Sequence, residues 1–203
     1  MGRDGDGERT AHLESGLRDG LVRHRAAIDR LEGEPLRDLA SLVHLLHRVL
    51  THGGKVLACG NGGSAADAQH LAGELVGRYK DERPALAAVA LTADGAVLTC
   101  IANDYDFDRL FARQVEALGR PGDLLVAIST SGRSPNVLRA LETASRLGLE
   151  TAALLGRDGG PARALARLPI VVPHDETARI QECHGLMIHL ACEALDRLLA
   201  SRG

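Results

Sequence analysis

The sequence is poor in aromatic residues. It has no tryptophan, and its tyrosines and phenylalanines are Tyr79, Tyr105, Phe107 and Phe111. The core must therefore be built from Leu, Val, Ile and Ala, and a stacking platform for single-stranded nucleic acid is disfavoured. An excess of charge is missing too. At a formal net charge of −3 neither nucleic acid nor an anionic membrane has a general electrostatic hold on the chain, so a bound phosphate must be gripped by local geometry. No apolar run approaches the roughly 20 residues that cross a bilayer, and the opening MGRDGDGERT lacks the apolar centre of a secretory signal. A cytosolic chain without a membrane partner is expected. Cys59, Cys100, Cys183 and Cys192 show no C-x-x-C spacing, which points to reduced thiols, three of them in the core, rather than to disulfides or a cysteine-zinc site. G-x-G-x-x-G and Walker loops are absent as well, which argues against a dinucleotide or nucleoside triphosphate as ligand.

What is present is a regular alternation. Residues 1–8 are rich in Gly, Asp and Arg without apolar periodicity and are expected to be disordered; residues 9–203 are expected to form one domain, with 9–52 as a helical extension at its start. Helices are predicted over about His12–Leu31 and Pro35–Thr51. In the second, Leu36, Leu39, Val43, Leu46 and Leu50 recur at helical spacing and Gly53-Gly54 ends the run. From Lys55 short apolar runs alternate with helical stretches. Strands are predicted near Val56–Cys59, Ala88–Leu91, Leu124–Ile128, Thr151–Leu155 and Ile170–Val172. Helices are predicted at about Ser64–Val76, Asp94–Ala102, Asp108–Leu118, Pro135–Leu147, Gly160–Ala166 and Thr177–Ala200. Such a chain builds an α/β fold, a three-layer α/β/α sandwich on a five-stranded parallel sheet, with ligands beyond the carboxyl ends of the strands.

Two loops at those ends suit an anion. After the first strand, Gly60-Asn61-Gly62-Gly63-Ser64 runs into a helix, where glycine permits close backbone approach and the helix presents free N–H groups. After the third strand, Ser129, Thr130, Ser131 and Ser134 cluster around Gly132, with Pro135 suited to the first helical position and Ser134 to the N-cap. Either loop alone is equally a tight turn; the pairing of the two at one edge of one sheet favours a ligand.

Two helices carry candidate acid, base and metal groups. His70 and Glu74 are four apart and share a face, a spacing that can chelate a divalent ion but is commoner as a solvated pair. The last helix carries Gln181, Glu182, His184 and His189 among apolar positions. Gln181 and His189 are separated by about 12 Å along the axis and about 80° around it. Two ligands so far apart either reach one ion between them or are completed by adjoining subunits.

The segments G-N-G-G-S-A-A-D-A-Q-H-L-A-G-E-L-V-G-R-Y, A-N-D, A-I-S-T-S-G-R-S-P-N-V and R-I-Q-E-C-H-G-L-M-I-H, in this order over about Lys55–Leu199, resemble the SIS (sugar isomerase) family, and within it the phosphoheptose isomerases. The resemblance implies conversion of sedoheptulose 7-phosphate to D-glycero-D-heptose 7-phosphate through an enediol. It implies zinc bound by His70, Glu74, Gln181 and His189, weakly held because Gln is an uncommon ligand, with Glu74 and His189 as the acid–base pair. It further implies substrate contacts from Asn61, Gly62, Gly63, Ser64, Glu74, Arg78, Asn103, Asp104, Ser129, Thr130, Ser131, Ser134 and Gln181, and assembly as a homotetramer through the amino-terminal helices. His184 has no counterpart in the site and is left to structure. Ala178 stands where many catalytic relatives have Asp. Around Leu91–Asp104 and Ala178–Glu182 the sequence also resembles a non-catalytic SIS relative, the scaffold that binds the bacterial replication initiator. That scaffold lacks the residues matching Glu74 and His189, which favours an enzyme. An isomerase of another phosphosugar is the further alternative.

Overall fold

The computed structural model describes residues 3–201, with side chains described from residue 9. In chain order the elements are α1 (Arg3–Asp29), α2 (Glu34–Thr51), β1 (Val56–Gly60), α3 (Gly63–Val76), β2 (Ala88–Ala90), α4 (Gly95–Asp104), α5 (Ala112–Leu118), β3 (Leu124–Ser129), α6 (Pro135–Arg146), β4 (Glu150–Gly156), α7 (Ala162–Leu165), β5 (Leu168–Val172) and α8 (Thr177–Ala200). A single turn of 3-10 helix, Phe107–Arg109, precedes α5.

The strands form one parallel sheet in the order β2-β1-β3-β4-β5. Every residue of β1 and β3 is buried, as expected for interior strands of a sheet covered on both faces. Alternation along the strands sorts two cores. Val56, Ala58, Leu124, Val126 and Ile128 face α2, α3 and α8. Leu57, Cys59, Leu125 and Ala127 face the apolar side chains of α5 and α6. The chain leaves β1 toward β2 and later returns to lay β3 on the opposite side of β1, so the loops after β1 and β3 diverge at one crevice, the switch point where open parallel sheets bind ligands.

Several boundaries differ from the sequence expectation. Residues 1 and 2 of the stretch expected to be disordered lie outside the described residues, and from Arg3 the backbone belongs to α1, ahead of the expected start at His12. Apolar periodicity marks what a helix buries, not where it begins. Leu36 is exposed although it continues the spacing of Leu39, Val43 and Leu46, which are buried, because it lies in the first turn of α2, before the helix meets the core. The helix expected over Gly160–Ala166 shrinks to Ala162–Leu165, since Gly159 and Gly160 both adopt positive φ. Cys59, Cys183 and Cys192 are buried and unpaired, while Cys100 is exposed.

Candidate active site

The first loop holds Gly62 at φ 56 and ψ −121, a backbone conformation open in practice to glycine alone, and no side chain caps α3. In its first turn the Ser64 and Ala65 N–H groups donate to the Asn61 and Gly62 carbonyls, each at 3.0 Å, and the positive end of the helix dipole faces the loop. In the second loop Ser129 Oγ accepts from the Gly132 N–H at 3.1 Å and Ser131 Oγ from the Arg133 N–H at 3.2 Å. Ser134 occupies the N-cap position of α6 but makes no side-chain cap. The reason is local: the Val137 N–H that a capping hydroxyl would take bonds back to the Ser134 carbonyl at 3.0 Å, which leaves the hydroxyl for something else. The two loops are stitched together by a reciprocal amide pair. Asn61 Nδ2 donates to Asn136 Oδ1 and Asn136 Nδ2 to Asn61 Oδ1, each at 2.9 Å. Asn136 is buried, and sequence reasoning had passed over it as the end of a loop motif.

At the other end of α3 stand the titratable groups. Gly63, Asp67, His70 and Glu74 recur at spacings of four, three and four, one face of the helix. That face meets α8, which runs beside α3 in the same direction, so that Gln181 lies at Gly63 and His189 at His70. A Cβ at Gly63 would fall 2.6 Å from the Gln181 amide, so a larger residue there would displace that side chain. His70 Nε2 lies 3.1 Å from Glu74 Oε1 and 3.0 Å from His189 Nε2. The two imidazoles meet edge to face, with centroids 4.7 Å apart, and the Tyr79 ring lies 5.4 Å from that of His189.

His70, Glu74 and His189 thus bring three ligand atoms within 4.8 Å of one another. This geometry fits a cation. Tetrahedral ligands at 2.0–2.1 Å from zinc lie about 3.3 Å apart, near the 3.0 and 3.1 Å found here. Proton accounting agrees, since a single N–H on His70 Nε2 cannot serve both Glu74 and His189, whereas one cation takes a lone pair from all three. Gln181 stands two turns earlier on α8, against Gly63 and beside Asp67. Gln181 thus lies on the same packed face of α3 and α8 as the three, nearer the glycine loop. Asp67 is buried with Oδ2 unpartnered; burial raises its pKa, against the Gln181 side chain and the nearby His70, which lower it.

The remaining predicted residues lie apart from this line. Asn103 and Asp104 end α4, exposed, with Asn103 Nδ2 donating to Asp104 Oδ1 at 2.8 Å. Arg78, after α3, donates to the Lys80 carbonyl at 2.8 Å. Among the described residues no hydrogen bond joins these three to the two loops. His184 lies fully buried, its Nε2 3.1 Å from the Leu155 carbonyl. Burial pushes its pKa down to about 4, so it is a neutral structural group at neutral pH.

A family described as the SIS domain matches residues 23–156. A phosphoheptose isomerase of Helicobacter pylori (strain Shi470) is 50% identical over 189 residues, covering 91% of this chain and 98% of that protein. One of Geotalea daltonii is 51% identical over 176 residues, covering 87% and 92%. Among solved structures, the phosphoheptose isomerase from Neisseria gonorrhoeae superposes with a TM-score of 0.86 at 45% identity, covering 91% of this chain and 99% of that one.

Proposed function

Since the chain belongs to the phosphoheptose isomerases of the SIS family, we propose that Glu74 and His189 carry its aldose–ketose isomerisation of sedoheptulose 7-phosphate to D-glycero-D-heptose 7-phosphate. The observation that supports this most is the convergence of a carboxylate from α3 and an imidazole from α8 on one point. That point, level with His70, lies about two helical turns, roughly 10 Å, from a loop suited to phosphate, which is room for an extended sugar chain.

The reaction moves a proton from one carbon to its neighbour through an enediol. Glu74 Oε1 faces His70, while Oε2 makes no hydrogen bond among the described residues and is the oxygen available to take the carbon-bound proton. His189 exchanges the hydroxyl proton. The glycine loop, with Asn61, Gly62, Gly63 and Ser64, and the serine loop, with Ser129, Thr130, Ser131 and Ser134, hold the phosphate, and the Asn61–Asn136 pair keeps the two at a fixed spacing. Gln181 sits between the phosphate loop and Asp67, positioned to bind a sugar hydroxyl. His70, Glu74 and His189, with Gln181 as the fourth ligand that the resemblance implies, would hold zinc, which supplies a Lewis acid for negative charge developing on the substrate oxygens. Asn103, Asp104 and Arg78 join the site only if a neighbouring subunit brings them or their loops there.

Assembly as a homotetramer is part of the proposal. Leu13, Leu17 and Leu21 are 66%, 71% and 59% exposed at four-residue spacing on α1, an apolar stripe that a second copy would cover. A cytosolic setting suits the unpaired thiols of Cys59, Cys183 and Cys192. Incubation of the purified protein with sedoheptulose 7-phosphate, and with fructose 6-phosphate and arabinose 5-phosphate as controls, tests the substrate. Turnover confined to the heptulose is expected, and preference for either control would reject it.

A further inference from the structure

The segment between α3 and β2 lies along α8 and touches it in register. Tyr79 meets His189, Lys80 Nζ donates to Glu193 Oε2 at 3.0 Å, and Arg83 Nε donates to Asp196 Oδ1 at 2.7 Å. The first two contacts are partly exposed, and the third is buried, with Arg83 and Asp196 side chains 7% and 3% exposed. A guanidinium and a carboxylate are brought out of water at considerable cost unless their remaining hydrogen-bonding capacity is used.

Arg83 spends that capacity on the end of α3. Its Nη2 donates to the Glu74 carbonyl at 2.7 Å and its Nη1 to the Leu75 carbonyl at 3.0 Å. These are among the last carbonyls of the helix, which have no intrahelical partner and carry the negative end of its dipole. One planar fork thus binds the backbone of Glu74 itself on one side and α8 on the other. Asp196 lies seven residues after His189, two turns along the same face. Cys192 lies between them in sequence and is buried.

We infer that Arg83 and Asp196 are positioning residues for the isomerisation: together they set the distance between α3 and α8 at which Glu74 and His189 meet. This rests on the assignment of Glu74 and His189 given above. The clamp grips the carboxyl end of α3, whereas the phosphate loops lie at its amino end. Loosening it should disturb the acid–base and metal groups and spare phosphate binding.

The test uses Arg83→Lys, which keeps the charge but cannot span two carbonyls and a carboxylate, and Asp196→Asn, which keeps the shape and an acceptor oxygen. For both variants and the double variant, kcat and KM are measured on sedoheptulose 7-phosphate, zinc affinity of the metal-stripped protein by competition with a chromogenic chelator, and folding by circular dichroism. A displacement on the order of 1 Å at reacting groups costs about a hundredfold in rate, and loss of groups that orient metal ligands costs about 10–100-fold in affinity. The expected result is a fall in kcat of at least about tenfold with KM within about threefold, and zinc bound about tenfold more weakly. The double variant should lose no more than the worse single one, as for residues acting as a unit. Unchanged kcat and zinc affinity in folded variants would overturn the inference, as would kcat and KM changing only in step with loss of folded protein. Glu74→Gln is measured alongside: if it is inactive and the clamp variants are normal, the positioning role alone is lost; if it is fully active, the assignment of the site falls and this inference with it.

Discussion

A methyl group added at residue 132 separates two kinds of glycine in the phosphate loops. Gly132 and Gly62 both have positive φ, at 62 and 56, so replacing either by alanine carries a backbone penalty of about 1–3 kcal/mol. Their surroundings differ. At position 62 a Cβ meets nothing within 4 Å, whereas at 132 it would lie 1.9 Å from the Gly159 carbonyl oxygen and 2.5 Å from its carbon. That neighbour is backbone and cannot rotate away. The β4–α7 loop cannot recede freely either, because the Ala162 N–H donates to the Gly132 carbonyl at 3.1 Å. Overpacking of this kind costs about 1–3 kcal/mol, and loss of the Ala162 bond adds about 1 kcal/mol. Gly132→Ala should therefore be about 3–7 kcal/mol less stable than the parent, and Gly62→Ala about 1–3 kcal/mol. At about 2–4 °C per kcal/mol for a chain of this size, thermal unfolding followed by circular dichroism should show Gly132→Ala melting well below Gly62→Ala. Midpoints within a degree or two of each other would refute the reasoning, since the clash would then contribute nothing.

Removing Asn136 by alanine breaks both amide bonds and strands Asn61, so KM for the heptulose phosphate should rise about tenfold, the equivalent of about 1.4 kcal/mol, with kcat within a few-fold. Steady-state kinetics decide it, and an unchanged KM counts against a stitched pair of loops. His184 titrates near 6.5 when unfolded and near 4 when buried, so the unfolded chain holds more protons between those values. Stability is then full above about pH 6.5 and declines by up to about 3 kcal/mol as pH falls to 4. His184→Gln should lack that part of the acid slope, and parallel melting curves for parent and variant would reject the assignment. Chelation should abolish turnover and added zinc should restore it; activity that survives with no metal detectable by elemental analysis would remove the cation from the account.

The sheet was legible because its strands are short buried runs bounded by glycine and by helix starts: Val56–Gly60 and Leu124–Ser129 lie within a residue of expectation at each end. Boundaries failed where local chemistry overrode pattern, as at Gly159-Gly160, whose positive φ delays α7. In the site, His70 and Glu74 could be paired by spacing alone, since both sit on one helix. Their meeting with His189 could not, because it depends on how α3 and α8 pack across 119 positions of sequence. Asn136 and Asp67 were in plain view inside the loop and helix motifs, yet one pairs with a residue 75 positions away and the other lies beside Gln181 on a different helix. Asn and Asp in such places read as caps and turns until the partner is seen.

Carbon-bound hydrogen is where the claim about Glu74 is most directly exposed. With sedoheptulose 7-phosphate in deuterated water, mass spectrometry of the recovered sugar phosphates follows deuterium entering at C1 of the ketose and C2 of the aldose. The parent protein should introduce deuterium there, and Glu74→Gln, folded and still binding the phosphate ester, should slow that entry by at least about a hundredfold, the lower end of what a general base contributes. Deuterium entering at the parent rate in Glu74→Gln would mean that another group removes the proton.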